Sequence, residues 1–277
     1  MSKIIIHGGF FSESSTNIET KIAKQQALLR IVKDSYAYLQ NHSALETVVY
    51  AVSQLEDDEL FNAGIGSQIQ SDGKIRMSAS LMDGESQKMS GVINIEEVKN
   101  PIQVAQVLMQ VDDRILGGSG ATNFARKHGF EPFSTEIPQR RAEYEAKVKS
   151  LGLGTVGCVA LDKDGQLAVA TSTGGKGFEL VGRISDSATV AGNYANQFCG
   201  VSLTGVGEDI VSNATAAKIV TRVTDGFTFA KTFDELLPYD GFAGAIAIDS
   251  KGNVFHQDSH PSMVFSSFDG EKEEVFN

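Results

Sequence analysis

Gly152-Leu153-Gly154-Thr155-Val156-Gly157-Cys158-Val159-Ala160-Leu161-Asp162-Lys163-Asp164-Gly165-Gln166-Leu167-Ala168-Val169 passes from a glycine cluster into two apolar segments joined by a polar turn. Asp164-Gly165 between β-prone runs is a hairpin signal, because glycine enters the positive-φ position of a tight turn without strain. The first six residues also satisfy G-x-G-x-x-G. That dinucleotide fingerprint needs a strand before it and a helix after it, so that a pyrophosphate meets a helix N-terminus. Here a polar segment precedes and a strand-like run follows, so the nucleotide reading fails on context. Two other segments repeat the hairpin pattern, residues 68–75 around Asp72-Gly73 and residues 245–254 around Lys251-Gly252.

Working outward, residues 17–39 carry Ile18, Ile22, Leu28, Leu29, Val32, Tyr36 and Leu39 at the spacing of one helix face. Residues 44–55 and 101–116 repeat that period, the second with Pro101 in a first-turn position and Gly117-Gly118 as a stop. Ile4-Ile5-Ile6 before Gly8-Gly9 reads as a short buried strand feeding a loop. Amphipathic helices combined with hairpins, in place of strict strand–helix alternation, predict a layered α+β sandwich on antiparallel sheets. From 124 to 150 the apolar period fades into Glu131-Pro132, Ile137-Pro138, Gln139-Arg140-Arg141 and a polar run over 143–149. This predicts a linker holding one exposed helix.

Of the 277 residues, 41% are hydrophobic and 21% charged, which is the profile of an ordinary globular chain. The formal charge of -11 repels phosphate backbones and anionic lipid, so nucleic-acid and membrane partners are disfavoured. The N-terminal aliphatic run is too short for a signal-peptide core, and no run reaches the roughly 18 apolar residues of a membrane span. Cys158 and Cys199 lie in apolar stretches without CxxC spacing and read as buried reduced thiols. A cytoplasmic enzyme is the expectation. His256 and His260 lack a Glu-x-x-His context and read as a solvated loop, not a zinc pair. The 28 glycines exceed the usual share of about 7%, so many positions need bare backbone.

A dense cluster lies between 155 and 208: Thr155-Val156-Gly157, Thr171-Ser172-Thr173-Gly174-Gly175, Gly182-Arg183-Ile184-Ser185-Asp186-Ser187, Gly192-Asn193-Tyr194-Ala195 and Thr204-Gly205-Val206-Gly207-Glu208. Small polar residues at strand ends are normal in turns. This cluster also supplies hydroxyls, unobstructed backbone donors, one guanidinium and one nearby carboxylate, with no histidine among them to activate a serine or threonine. Its blocks, with Ile6-His7-Gly8-Gly9, Phe61-Asn62-Ala63-Gly64-Ile65-Gly66-Ser67 and Ala79-Ser80-Leu81-Met82-Asp83-Gly84, resemble the plant-type asparaginase and isoaspartyl peptidase family in combination and order. That family consists of N-terminal-threonine Ntn-hydrolases, and the resemblance covers nearly the whole chain.

The resemblance implies a single four-layer αββα sandwich with antiparallel central sheets, cut by the chain itself between Gly154 and Thr155. An α subunit of 1–154, with a linker over about 124–154, and a β subunit of 155–277 would result. A free α-amine titrates at about 7.7 to 8.0, against about 10.4 for lysine, so the new amine of Thr155 is a suitable base for its own hydroxyl. By resemblance, Thr155 is the nucleophile, Thr173 its hydrogen-bond partner, Thr204 and Gly205 the oxyanion pair, and Asn62 a lining residue. Arg183 would grip a substrate α-carboxylate, while Asp186 and the Gly207 carbonyl would take the α-ammonium. Asparagine and β-aspartyl dipeptides share that head group. The resemblance also implies a structural sodium on the main-chain carbonyls of Leu55, Glu56, Asp58, Phe61, Ala63 and Ile65, no catalytic cofactor, and a homodimer of αβ units. Phe10, Ser185 and Ala188 depart from the family pattern. A glycosylasparaginase-like amidase and an uncut aspartate- or asparagine-binding protein are the alternative readings.

Overall fold

Apolar alternation and helical periods sort this chain into strands that cover one another and helices that cover the strands. A computed structural model describes residues 2–10, 17–147, 154–236, 242–259 and 263–277. In chain order the elements are β1 (Lys3–Phe10), α1 (Ile18–Leu39), α2 (Ala44–Glu56), β2 (Met77–Asp83), β3 (Met89–Ile95), α3 (Pro101–Leu108), β4 (Ile115–Gly117), α4 (Gly118–Lys127) and α5 (Pro138–Glu145). The second half continues with β5 (Val156–Leu161), β6 (Leu167–Thr173), β7 (Asn193–Ala195), β8 (Cys199–Gly205), α6 (Gly207–Asn213), α7 (Thr215–Thr224), α8 (Phe229–Leu236), β9 (Ala243–Asp249), β10 (Val254–Asp258), β11 (Met263–Phe268) and β12 (Glu273–Val275).

One sheet has eight strands in the order β12-β11-β1-β5-β6-β2-β3-β4, and the other has four in the order β10-β9-β8-β7. The sheets pack face to face, with β5 and β6 against β8 and β1 against β9. Helices α1 to α4 cover the outer face of the large sheet, and α7 and α8 cover the small one. This is the expected four-layer sandwich, and β5, buried at all six positions, runs through its middle. All pairs are antiparallel except β3 with β4, which makes the large sheet mixed. The larger core joins the inter-sheet space to the underside of α1–α4, and a second cluster lies between the small sheet and α6–α8.

The helices at 17–39 and 44–55 form as their periods require. Asn17 Oδ1 caps α1 by accepting from Glu19 N, and Ser43 with Glu46 closes a capping box on α2. The hairpins at 159–169 and 245–254 form as well. Residues 68–75 make the turn but no hairpin. Their backbone bonds to residues 178 and 179 instead, with Phe178 N donating to Ile69 O and Ser71 N to Glu179 O. The helix predicted over 101–116 ends at Leu108, before the polar run Asp112-Asp113-Arg114. Gly91 N then bonds to Arg114 O and draws Ile115–Gly117 into parallel pairing with β3. Strand β1 does not stop at the glycines; it continues to Phe10 through an irregularity after His7.

Residues 124–127 close α4, so the linker begins later than its composition predicts, while 148–153, including Gly152 and Leu153, lie outside the described residues. Its exposed helix is α5, which buries no residue and docks by polar contacts, Arg140 Nε donating to Gly66 O at 2.9 Å. His256 sits on strand β10, not in a loop, stacked on Phe265 and paired with Glu274; His260 lies outside the described residues. Both cysteines are free and buried, and burial raises both thiol pKa values, Cys199 to about 12. No described helix is long and apolar enough to cross a membrane.

Leu28 on α1 is fully buried against the large sheet. Leu28→Ala is expected to cost about 2 to 5 kcal/mol, because the rigid sheet cannot collapse into the cavity. Chemical denaturation followed by circular dichroism reads this as a lowered midpoint with an unchanged slope.

Candidate functional site

Strand alternation puts Thr155 and Gly157, at the start of β5, on the face that meets the small sheet. Its neighbour β6 pairs Gly157 with Thr171 and Val156 with Ser172, which brings Thr173 beside Thr155. The hydroxyls meet, Thr155 Oγ1 donating to Thr173 Oγ1 at 3.2 Å, and Gly175 N donates to the same oxygen at 3.1 Å. Thr173 Oγ1 therefore accepts twice, which leaves its own proton free to turn toward Thr155.

The facing strand is β8. A Cβ at Gly200 would lie 3.0 Å from Val159 Cγ1, and one at Gly157 would run into Ser202 Oγ. Two residues further in the same direction, Thr155 comes opposite Thr204. Thr204 Oγ1 is buried without a hydrogen-bond partner, a donor in wait at the site. Gly205 follows at φ 145°, held against the Phe242 carbonyl and 2.7 Å, measured from a notional Cβ, from Ala243 Cα; a side chain has neither the space nor the dihedral. Phe10 is buried 4.4 Å from Phe242, ring to ring, so this departure from the family pattern packs behind the loop that carries Gly205.

Asn62 ties three loops together. Its Nδ2 donates to Gly175 O at 2.6 Å, its Oδ1 accepts from Gln68 N at 2.9 Å, and its own carbonyl accepts from Gly174 N. Gly154 lies on it, since a Cβ there would be 2.5 Å from Asn62 Cβ. The peptide between Gly154 and Thr155 is thus held on one side by Asn62 and on the other by Thr173.

At the mouth, Arg183 and Asp186 converge on the start of α6, where a Cβ at Gly207 would lie 2.7 Å from Asp186 Oδ1 and 2.8 Å from Arg183 Nη2. The guanidinium grips Glu208 through Nε at 2.9 Å and Nη2 at 3.2 Å, and Lys176 adds a third contact at 3.0 Å. Those hydrogen bonds pull the Glu208 carboxyl down to about 2. Asp186 is fully buried, and desolvation pushes its carboxyl up to about 7 against the lowering effect of Arg183. Its Oδ2 has no partner. The loop is pinned from below, with Ser80 Oγ donating to Ser187 O at 2.6 Å and Asn193 Nδ2 to Ser80 Oγ at 2.8 Å. Ser185 and Ala188, the other two departures, are buried within it.

Thr155, Thr173, Thr204, Gly205, Asn62 and Gly154 therefore form one centre, and Arg183, Asp186 and Gly207 form a charged mouth. The carbonyls of Leu55 and Glu56, at the end of α2, and of Asp58, Phe61, Ala63 and Ile65, in the loop after it, lie on a segment that closes on itself, with Ile65 N donating to Glu56 O at 2.7 Å. Two residues carry no role in the sequence reading. Glu208 fills the Arg183 fork, and its adjacency to Gly207 was the available signal. His7 lies between the sheets with Nε2 2.8 Å from Ser202 Oγ, and burial pushes its ring down to about 3 against the weaker raising effect of the Thr155 backbone carbonyl. A histidine inside the apolar run of β1 was the signal there.

A family model described as asparaginase matches residues 1–147 and 132–276. An isoaspartyl peptidase/L-asparaginase of Synechocystis sp. is 45% identical over 91% of this chain and 83% of its own length. A protein of the same name from Nostoc sp. is 42% identical over 98% and 92%, and the isoaspartyl peptidase of Escherichia coli is 36% identical over 91% and 88%.

The Asp186 carboxyl should titrate near pH 7 in the free protein, well above an ordinary aspartate. Carbon-13 NMR of its carboxyl reads this directly. Glu208→Gln removes a negative charge that raises the value, so the midpoint is expected to move down; an unchanged midpoint contradicts the coupling.

Proposed function

The chain belongs to the asparaginase family, and from that premise we propose that it is an autoprocessing amidohydrolase that cleaves L-asparagine and β-aspartyl dipeptides through a Thr155 acyl-enzyme. The observation that carries the reading is the Thr155 Oγ1 to Thr173 Oγ1 hydrogen bond on one sheet, facing the unpartnered Thr204 Oγ1 on the other.

In the uncut chain Thr155 Oγ attacks the Gly154 carbonyl carbon, the C–N bond breaks, and the acyl group passes to oxygen as an ester. Water hydrolyses the ester, giving a Gly154 carboxylate and a free Thr155 α-amine. With a pKa of about 7.7 to 8.0 the amine takes the proton of its own hydroxyl. Thr173, already accepting from Gly175 N–H, turns its proton toward the developing alkoxide. Oγ then attacks the side-chain amide carbon of the substrate, and Thr204 Oγ1 with Gly205 N–H receives the oxyanion. Such preorganised donors are worth about 2.7 to 4 kcal/mol each. The amine returns its proton to the leaving nitrogen, ammonia or an amino acid departs, and water releases aspartate.

The mouth selects the head group. Arg183 takes the substrate α-carboxylate in the fork that Glu208 fills in the free protein; Glu208 is a carboxylate and so has the chemistry of the group it yields to. Asp186 and the Gly207 carbonyl take the α-ammonium. A structural sodium would be held by the main-chain carbonyls of Leu55, Glu56, Asp58, Phe61, Ala63 and Ile65, around the turn where the chain doubles back at Gly64, φ 54°, a reading that rests on the family resemblance. That ion would hold the loop bearing Asn62 in shape and takes part in no chemical step. The working form is a cytoplasmic dimer of αβ units, a reading that rests on the family resemblance.

Purified protein incubated at neutral pH should separate into two fragments, the second beginning at Thr155 by mass spectrometry. It should release ammonia from asparagine and leucine from β-aspartyl-leucine. Thr155→Ala is expected to stay uncut and inactive; a wild-type chain that stays whole and turns over neither substrate overturns the reading.

Asp186 must be ionised to hold the substrate ammonium, so kcat/KM should fall as pH drops through about 7. In Asp186→Asn this dependence disappears from KM, and the remaining limb moves up toward that of the Thr155 amine. Arg183→Lys keeps the charge and loses the fork, so kcat/KM should fall about ten- to hundredfold, mainly through KM.

A further inference from the structure

Two residues along the strands from Thr155, Thr173 and Thr204 lies a second row of polar groups, about 7 Å away. On the large sheet it runs His7, Gly157, Thr171, Ser80 across β1, β5, β6 and β2, each in register with the next. On the small sheet it continues through Ser202 of β8, which is in register with Asn193 of β7. His7, Thr171, Ser80, Ser202 and Asn193 are all fully buried.

Ser202 Oγ is the crossing point. It lies 2.8 Å from His7 Nε2 and shares a 2.7 Å hydrogen bond with Thr171 Oγ1, so one hydroxyl of the small sheet is held by two strands of the large one. Gly157, between His7 and Thr171, has no side chain, and any Cβ there would run into both Ser202 Oγ and His7 Nε2. Around this row the inter-sheet contacts are apolar, such as Val159 with Gly200. Apolar contact is non-directional, so it sets the spacing of two sheets but tolerates sliding. A hydrogen bond is confined to about 2.7 to 3.2 Å and a narrow angle. His7 Nδ1 and Asn193 Oδ1 already lack a partner, and stranding His7 Nε2, Ser202 Oγ and Thr171 Oγ1 as well would add to that cost, so the row favours one alignment of the sheets.

The acyl-transfer reading needs that alignment, because its nucleophile and Thr173 come from the large sheet and its oxyanion donors from the small one. We propose that His7, Thr171 and Ser202 are positioning residues that lock the two sheets in the one relative slide at which Thr155 faces Thr204 and Gly205. They touch no reacting atom. An error of about 1 Å between nucleophile and oxyanion donors costs catalysis about a hundredfold while leaving the head-group contacts at Arg183 and Asp186 in place. The inference rests on the function proposed above.

Ser202→Ala and Thr171→Val each delete a hydroxyl with little change in volume. Each is expected to lower kcat on asparagine and the rate of cutting at Gly154–Thr155 by about ten- to hundredfold, with KM changed less than twofold and the pH profile of kcat unmoved. Thr171→Ser, which keeps the hydroxyl, should recover most of the loss. The double variant should lose no more than Ser202→Ala alone, since that change already removes both hydrogen bonds. If Ser202→Ala and Thr171→Val melt lower yet cut and turn over at the wild-type rate, the row is merely structural and the proposal is overturned. Absence of cutting and turnover in the unmutated chain overturns the function reading and this inference with it.

Discussion

At Gly157 the sheets approach until a backbone hydrogen on one faces a hydroxyl on the other, and the rest of the site is measured from that contact. The position lies near the start of β5, in register with His7 on one side and Thr171 on the other. With Ser202 seated over it, Val159 falls opposite Gly200 and Thr155 opposite Thr204, so a single close approach aligns groups from β5, β6 and β8. The helices outside supply burial. They do not supply this alignment, because among the described residues α1 to α4 pack on the large sheet's outer face and α7 and α8 on the small one's.

The mouth obeys a different constraint. Arg183 and backbone hydrogen bonds from Asp186 and Ser187 favour the buried Asp186 carboxylate, yet desolvation outweighs them and pushes it to about 7. The free site keeps the guanidinium satisfied with Glu208 and leaves Asp186 Oδ2 without a partner. On the proposed reading, a zwitterionic head group puts its carboxylate in place of Glu208 on the fork and its ammonium on the Asp186 carboxyl, whose Oδ1 lies on the Gly207 side. A ligand without the ammonium leaves Asp186 without a counter-charge, while one without the carboxylate leaves Arg183 on Glu208 and gains nothing from the fork.

Local signals made the two hairpins and the long helices legible, since alternation, period and Asp-Gly turns act within a dozen residues. The failures came where a remote partner won. Residues 68–75 have a hairpin's turn, but Ser71 N donates to Glu179 O and Ile69 O accepts from Phe178 N, so the flanks pair with residues 178–179. Ile115–Gly117 has the composition of a helix end and becomes an edge strand because β3 offers a ladder. At the site, the threonines, Asn62 and the Arg183–Asp186 pair could be placed because their motifs are contiguous and their order resembles a known family. His7 and Glu208 could not, since their partners Ser202 and Arg183 lie 195 and 25 residues away, and a sheet register or a loop closure is what brings them together.

Net charge bears on traffic through this mouth more than on the fold. The chain carries -11, and its field falls off over about 8 Å at physiological salt. On the proposed reading, asparagine enters as a zwitterion with no net charge, so the field neither draws nor repels it, and Arg183 and Asp186 act only at contact. The product differs by one carboxylate where an amide stood, formed in a centre whose polar groups are hydroxyls, the Asn62 amide and backbone N–H groups, with no lysine or arginine placed there among the described residues. The same acidic surface that contributes nothing to recognition therefore favours release of aspartate over its retention, and the return of Glu208 to Arg183 completes the exchange of one carboxylate for another.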